Sequence, residues 1–319
     1  MNTILLILDA LRYDHVNIEN TPNLIKHVEK SALFTNAFSC NTTTLESIPC
    51  IIGGKKEYDP ENNIATVLNK YNIHCAMIHS NPIIHAFYNG FIETIDLKSK
   101  KINVNKKIKK TLRRNLPPSF IKGLKKVRAT VQEDDSYLPY ARARETLEFV
   151  KKWLQNKENY FLWVHLMDPH IPYYPLETNT GLSKYKMRTL NDKLIESVHD
   201  NYYLASDETK IAQRLYKEDI REMDEQLGYF FEAIPLDTYL IITSDHGEEF
   251  GEFGQFSHHG NKHIPILTHV PLIISGPNIE TKTISDYVST LSIASTILEA
   301  NNVKEKIGYA PSLWDKITK

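Results

Sequence analysis

The chain has 319 residues, of which 41% are hydrophobic and 24% are charged, and its formal net charge is −1. These proportions are those of a globular protein, and the near-zero net charge gives no reason to expect a nucleic-acid partner. The apolar run at residues 4–8 is too short for the hydrophobic region of a signal peptide, and no run approaches the ~20 apolar residues of a membrane-spanning helix.

Taken in chain order, short apolar runs alternate with segments of helical periodicity. The predicted strands cover residues 3–8, 32–38, 73–79, 160–166, 238–243 and 270–275. One predicted helix begins at Pro22. The others cover residues 42–52, 64–71, 137–156, 207–234 and 285–300. This alternation predicts an α/β fold, a three-layer sandwich with a mostly parallel central sheet. No internal repeat is present, and an α/β protein of this length can fold as one unit, so we expect residues 1–319 to form a single domain.

Acidic and histidine side chains follow several of these strands directly. Asp9, Asp168, Asp245 and His246 each come after an apolar run. Sites in open α/β sheets form beyond the carboxyl ends of the strands, and carboxylate and imidazole together suit zinc or manganese. The alternatives are structural: Asp9 as a helix N-cap, and residues 245–248 as a capping loop.

Three threonines, Thr42, Thr43 and Thr44, precede the apolar stretch that ends at Gly53 and Gly54. A hydroxyl at a helix N-terminus is usually a cap, and local sequence alone favours that interpretation. The same position also suits a nucleophile, because the helix dipole and free backbone N–H groups hold an incoming anion.

Histidines are concentrated in two loops. His165, Asp168 and His170 occupy the first, and a second loop contains the following residues: His258, His259, Lys262 and His263. A single histidine is more often a structural hydrogen-bonding group than a ligand. As a group, these residues indicate substrate and metal contacts.

A basic segment at residues 98–128 holds 13 Lys or Arg residues and no acid. We interpret it first as a solvated insertion. The apolar residues between the charges allow a second interpretation, a surface that binds anionic lipid or a polyanionic polymer. Nucleic-acid binding is a third and weaker alternative.

The cysteines, Cys40, Cys50 and Cys75, have neither the spacing of a metal site nor that of a disulfide framework. That pattern is typical of a reducing compartment. We therefore expect a cytoplasmic protein, peripheral at a membrane if the basic segment binds lipid.

Four sequence blocks together resemble the sulfatase-like branch of the alkaline phosphatase superfamily. In chain order they are ILLILDA, TTTLESIPCIIGG, FLWVHLMDPHIPYYP and TSDHGEEFGEFGQFSHHG. The resemblance implies a divalent metal, zinc or manganese, bound by Asp9, Thr44, Asp245 and His246. Counting back from Gly54 places Thr44 at the nucleophile, with Thr42 and Thr43 as near alternatives.

The resemblance also implies roles for the two histidine loops. His170 and His259 are expected to be catalytic, holding the ester or protonating the leaving group. The expected substrate-binding residues are His165, Asp168, His258, Lys262 and His263. One metal ion is expected, and a second one held by Asp168, His170 and His259 is the alternative.

Departures from the sulfatase pattern narrow the expected reaction. The stretch Thr44-Leu45-Glu46-Ser47-Ile48 replaces the Cys/Ser-x-Pro-x-Arg motif of the commonest sulfatases, and threonine cannot give their formylglycine. We therefore expect a hydrolase of phosphate mono- or diesters that acts through a phospho-threonine.

Other functions and the assembly are left open. One alternative is a transferase of a phospho-alcohol group onto a glycan or lipid. A sulfuric ester hydrolase and, last, a non-catalytic binding protein are the others. The chain stops where many relatives add a small C-terminal sheet, so we expect no such subdomain and a substrate rim that is open or completed in a homo-oligomer.

Overall fold

A computed structural model describes residues 1–98, 101–104, 137–200, 204–260 and 262–318. The strands are β1 Asn2–Leu8, β2 Ala32–Phe38, β3 His74–His79, β4 Glu93–Asp96, β5 Lys101–Val104, β6 Tyr160–Leu166, β7 Thr238–Thr243, β8 Glu249–Phe250, β9 Phe256–Ser257, β10 Leu272–Ser275 and β11 Lys282–Ser289. The α-helices are α1 Pro22–Val28, α2 Thr44–Gly53, α3 Ile64–Lys70, α4 Ala143–Trp153, α5 Lys184–Asp200, α6 Ser206–Ala233, α7 Pro265–Thr268, α8 Ser292–Ala300 and α9 Trp314–Ile317. Short 3-10 helices cover Tyr13–His15 and Pro82–Phe87.

Nine of these strands form one sheet in the order β11-β2-β10-β7-β1-β6-β3-β4-β5. β1 lies at its centre and pairs in parallel with β6 and β7. Only β5 and β10 run antiparallel to their neighbours. The prediction of an α/β fold with a mostly parallel sheet is thus confirmed.

Both faces of the sheet are covered, as the apolar sequence of β1 requires. Ile4, Leu6 and Leu8 point into one core, with apolar residues of α1, α4, α5 and α6. Leu5 and Ile7 point into the other core, with α2, α3, α8 and α9. The result is three layers, helix–sheet–helix, with a rigid, doubly buried strand leading to Asp9.

The strand directions place several carboxyl ends at one edge of the sheet. β1, β3, β6 and β7 end there because they run in parallel. β2 ends there too, since β10 is antiparallel to both β2 and β7. The segments that follow these five strands therefore meet at this edge.

Several predicted element boundaries were wrong. The helix predicted for residues 137–156 covers only Ala143–Trp153, because the backbone of Arg142 is extended, with φ −69° and ψ 159°. The helix predicted for residues 285–300 is two elements, the edge strand β11 and then α8. β11 pairs with β2, a long-range partner that overrides the local pattern. The helix α5 was not predicted.

The interpretation of the cysteines was also wrong. Cys40 and Cys50 form a disulfide, with their Cα atoms 6.5 Å apart, and Cys75 is a buried free thiol. The pair meets because the chain turns sharply between β2 and α2, which the sequence spacing does not reveal. The cysteine pattern therefore gives no support to a reducing compartment.

Most of the basic segment at residues 98–128 lies outside the described residues, so its proposed partners remain predictions. Within the part of the chain that the structure describes, no helix combines the length and hydropathy needed to cross a bilayer.

Candidate metal centre and active site

Two acidic residues meet at the carboxyl edge because their strands are neighbours. β1 and β7 pair in parallel with Ile7 opposite Thr243, so Asp9 and Asp245, each two residues further on, lie side by side. His246 follows Asp245, and all three side chains are fully buried. The sheet register thus brings together residues that are more than 230 positions apart in the chain.

These three side chains have the geometry of a metal centre. Ligand atoms of Asp9, Asp245 and His246 all lie within 4.8 Å of one another. His246 Nε2 is 3.7 Å from Asp9 Oδ1 and 3.6 Å from Asp245 Oδ2. Among the described residues, neither of these two buried oxygens has a hydrogen-bond partner. Unpaired buried carboxylate oxygens are costly, so the cluster fits a divalent cation.

Other polar atoms of Asp245 and His246 make hydrogen bonds within the protein. Asp9 Oδ1, Asp245 Oδ2 and His246 Nε2 are thereby left facing one another. His246 Nδ1 bonds the carbonyl of Gly247 at 2.9 Å, so Nε2 is the nitrogen that faces the carboxylates. Asp245 Oδ1 accepts from the backbone N–H groups of Ala10, at 3.3 Å, and of His246, at 3.0 Å.

Ala10 has a strained backbone next to this cluster. Its φ of 61° lies in the left-handed region, which a residue with a Cβ seldom adopts. The hydroxyl of Tyr216 donates to the Ala10 carbonyl at 2.8 Å, while the Ala10 N–H faces Asp245. Such strain is concentrated at functional sites, and here the strained residue donates its N–H to a carboxylate of the candidate metal centre.

Charge within the site keeps Asp9 ionised. Burial raises the pKa of Asp9, but His170 and the hydrogen bond from His165 outweigh it and hold that pKa well below its usual value. For His246, burial lowers the pKa, and the two neighbouring carboxylates raise it above its usual value. The cluster is therefore strongly polarised, with negative charge concentrated on the carboxylates.

Of the three adjacent threonines, Thr44 faces the cluster. Its Oγ1 is 3.3 Å from His246 Nε2 and 3.5 Å from Asp9 Oδ2. The hydroxyl of Thr42 instead donates to the His259 carbonyl at 2.5 Å, and that of Thr43 to Glu46 at 3.1 Å. Thr44 is also the first residue of α2, where the positive end of the helix dipole favours an anion.

His258 lies next to His246, and His170 lies next to His258. The ring of His258 lies 4.1 Å from that of His246 and 5.0 Å from that of His170, between centroids. His258 Nδ1 bonds Glu248 Oε1 at 3.1 Å, and Glu248 is fully buried. This pair of rings borders the cluster on one side.

The structure places the neighbouring His259 differently. Its Nε2 bonds the carbonyl of Phe256 at 2.9 Å, so its ring turns back onto its own loop. Ser257 has a φ of 67°, which reverses the direction of successive side chains here. The catalytic role predicted for His259 therefore fits the position of His258 better, because the His258 ring is the one next to His246.

The predicted substrate-binding residues lie in different surroundings. His165 is fully buried, and its Nε2 is 2.9 Å from Asp9 Oδ2. Asp168 accepts from the N–H of Ala143 at 2.9 Å and so caps α4. Burial raises the pKa of this carboxyl to about 7, although the hydrogen bond from the Ala143 N–H lowers it.

The other two members of that set belong to the second loop. Lys262 pairs with the buried carboxylate of Glu249 at 2.7 Å, which makes it a loop-stabilising residue in this structure. His263 is exposed. Neither is brought into the cluster.

Sequence reasoning missed Asn81 and did not give Glu248 a role. The side-chain N–H of Asn81 donates to Asp9 Oδ2 at 3.2 Å. Asn81 comes two residues after β3, at the same sheet edge, so the strand-end rule that selected Asp9 would have found it. Glu248 lies within the DHGE block, where only the Asp-His pair was given ligand roles.

Comparison with known proteins identifies the family. The model of the Sulfatase family matches residues 1–303. The chain belongs to the sulfatase family. Among curated members, arylsulfatase K of Xenopus laevis is 30% identical over 193 residues, which are 49% of this chain and 35% of that protein. This sulfatase-family chain spans about a third of the length of the curated relatives it matches.

Solved structures show the fold that this sulfatase-family chain shares with other enzymes. The phosphonate monoester hydrolase of Agrobacterium radiobacter has a TM-score of 0.64 at 17% identity, over 93% of this chain and 73% of that one. The soluble domain of lipooligosaccharide phosphoethanolamine transferase A from Neisseria meningitidis has a TM-score of 0.64 at 16% identity, over 93% and 86% of the two chains. At these identities the likeness shows the fold alone.

Proposed function

We propose that this protein cleaves a phosphate mono- or diester, with Thr44 as nucleophile beside a divalent ion held by Asp9, Asp245, His246 and Thr44 itself. The observation that carries the proposal is the position of the Thr44 hydroxyl, 3.3 Å from His246 Nε2 and 3.5 Å from Asp9 Oδ2. A hydroxyl that served only as a helix cap would bond the backbone of its own helix.

The identity of the nucleophile supports a phosphate over a sulfate ester. The commonest sulfatases act through formylglycine, made from Cys or Ser in a Cys/Ser-x-Pro-x-Arg motif. The stretch at residues 44–48 is Thr-Leu-Glu-Ser-Ile, which lacks that Cys or Ser, the Pro and the Arg. A threonine hydroxyl is suited to direct attack on phosphorus.

The first step transfers the phosphoryl group to Thr44. When bound, a divalent ion supplies Lewis-acid stabilisation of the negative charge on oxygen. Thr44 Oγ forms a bond to phosphorus, and the bond from phosphorus to the ester oxygen breaks. The Thr44 hydroxyl faces Asp9 Oδ2 and His246 Nε2, and beside a divalent ion bound there its pKa would be lowered, so that its proton passes to solvent. The N-terminus of α2 stabilises the equatorial oxygens.

His258 and His170 are suited to the leaving group. Their rings lie next to each other on the His246 side of the cluster. We assign them the binding of the ester and the donation of a proton to the departing alcohol oxygen. Glu248 orients His258 through Nδ1, which leaves Nε2 for the substrate.

The second step releases the group from Thr44. Water as acceptor returns Thr44 and free phosphate or a monoester, which is hydrolysis. An alcohol as acceptor gives a new ester, which is transfer. Both outcomes use the same phospho-threonine, so the acceptor distinguishes the two reactions.

One ion suffices for this chemistry. Among the described residues, Asp9, Asp245 and His246 are the one group of three metal-ligating side chains whose ligand atoms all lie within 4.8 Å of one another. Of the three residues expected to bind a second ion, Asp168 caps α4 and the ring of His259 bonds Phe256. The geometry therefore favours one ion.

A substrate panel tests the proposal. The protein, loaded with zinc or manganese, is assayed with aryl esters of phosphate, phosphate diester, phosphonate and sulfate, with and without added alcohol. We expect turnover of a phosphate ester above that of the sulfate. Thr44→Ala should lower kcat roughly 10³-fold or more, because the nucleophile is lost.

Thr43→Ala is the matched control for this assay. Thr43 is the adjacent N-cap residue, and its hydroxyl bonds Glu46 rather than the cluster. We expect it to keep near-parental turnover and near-parental stability, because the Thr43 hydroxyl makes no cap hydrogen bond to the backbone. Equal losses in the two variants, or sulfate turnover above phosphate turnover, would overturn the proposal.

A further inference from the structure

Asn81 is a buried amide side chain whose orientation is fixed by two hydrogen bonds. It is 2% exposed and directly precedes the 3-10 helix Pro82–Phe87. Its Oδ1 accepts from the backbone N–H of Ile83 at 2.9 Å, as an N-cap. Its Nδ2 donates to Asp9 Oδ2 at 3.2 Å. Because the oxygen is engaged with Ile83, the NH2 group must face Asp9.

The two oxygens of Asp9 are used differently. Oδ2 receives the N–H of Asn81, the ring nitrogen of His165 at 2.9 Å and the Thr44 hydroxyl. Oδ1 has no hydrogen-bond partner among the described residues, and it is the atom that lies 3.7 Å from His246 Nε2. The donors on Oδ2 therefore fix which oxygen faces the metal cluster.

We propose that Asn81 is a positioning residue for the metal centre: its side-chain N–H holds Asp9 by Oδ2, so that Oδ1 faces Asp245 and His246. The proposal rests on the divalent-ion site of the proposed function. Asn81 is a neutral donor in this arrangement, and its amide nitrogen reaches Asp9 from a different strand end than His165 does.

The anchoring of Asn81 makes it suited to this task. The segment that it caps packs Ile84 and Phe87 into the core on the α2 side of the sheet. Asn81 is thereby tied to a rigid part of the fold that is distinct from β1 and β7. A third element thus fixes the orientation of a ligand carried by β1, and such outer contacts keep ligands in place during metal binding.

Two substitutions separate the cap from the contact with Asp9. Asn81→Ser keeps an oxygen that can cap Ile83, but the shorter side chain does not reach Asp9. Asn81→Ala removes both. The control is Asn63→Ser, because Asn63 is an equally buried N-cap, of α3, with its Oδ1 on Ala65 and Thr66.

The experiment measures zinc and manganese dissociation constants of the metal-free proteins by chelator competition, and their urea midpoints without metal. We expect both Asn81 variants to bind ~10–100-fold more weakly than the parent. Asn81→Ala should also have the lower urea midpoint of the two. Asn63→Ser should have a lower midpoint than the parent and the parental metal affinity.

Parental affinity in Asn81→Ser would overturn the inference and leave the metal centre standing. Equal weakening in Asn63→Ser would also overturn it, since the effect would then be one of general stability. A parent protein that binds neither ion would overturn the inference together with the proposed function.

Discussion

At the scale of single residues, Asp245 has two oxygens with different surroundings. Oδ1 accepts two backbone N–H groups, and Oδ2 is buried without a partner in the described part of the chain. A buried carboxylate oxygen without a hydrogen bond is costly in the metal-free protein, even with the His246 ring 3.6 Å away. The buried position of Oδ2 without a hydrogen bond is explained if this oxygen is a metal ligand.

Asp245→Asn should separate metal binding from folding. The amide oxygen can keep the two backbone hydrogen bonds, but the buried charge and the ligand oxygen are lost. We expect the metal-free variant to be at least as stable as the metal-free parent. Zinc should raise the Tm of the parent, since it binds the folded state, but not that of the variant. An equal rise in both, measured by calorimetry, would show that Asp245 is not a ligand.

The residues of the candidate metal centre could be selected from the sequence because each follows an apolar strand. That rule singled out Asp9, Asp245 and His246 together with Asp168, and the family resemblance was needed to choose the ligands among them. The choice among the three threonines was less certain, because it depends on where α2 begins. Local sequence could not separate His258 from His259, since the backbone turn at Ser257 decides which ring faces His246.

At the scale of elements, the turn between β2 and α2 determines the position of Thr44. The disulfide between Cys40 and Cys50 closes this turn, with all three threonines between the two cysteines. Ser39, at its start, also donates through its hydroxyl to the Asp245 carbonyl. The disulfide thus fixes the segment covalently to α2. The hydrogen bond of Ser39 fixes it to the loop that carries Asp245 and His246.

Reduction of this disulfide should destabilise the protein. Closing a loop of this size is expected to contribute about 2–3 kcal/mol, chiefly through the unfolded state. We expect dithiothreitol to lower the free energy of unfolding of the parent, measured in urea, by about that amount. The Cys40→Ala, Cys50→Ala double variant retains the thiol of Cys75 and should not respond. A parent that is insensitive to reductant, or that has three free thiols by mass analysis, would contradict the pairing.

Element boundaries were only partly predictable. The apolar residues Met187, Leu190 and Leu194 have helical spacing and are buried, so a local signal for α5 was present. The strand β11 is different, because half of its residues are exposed and it is held in place by pairing with β2. That partner is about 250 residues away in the sequence and leaves no local pattern.

At the scale of the whole molecule, the sheet brings distant residues together. Asp9, Thr44, Asn81, His165 and Asp245 follow or end five different strands, and all lie at one edge. The alternation of strands and helices predicted this kind of sheet. It did not predict the strand order or the reversed direction of β10, because these depend on long-range pairing.

The shared fold does not decide the reaction, since related structures include hydrolases and a transferase. The proposed reaction rests instead on the side chain that faces the cluster, Thr44. If Thr44 is the nucleophile, as we propose, the reaction passes through a covalent ester on Thr44.

Trapping that covalent ester tests the central claim most directly. The metal-loaded protein is mixed with a phosphate ester, quenched in acid and digested, and its peptides are analysed by mass spectrometry. We predict a phosphate on Thr44 in the parent, and none on the same peptide of Thr44→Ala. A phosphate on Thr42 or Thr43, or undiminished turnover by Thr44→Ala, would contradict the mechanism.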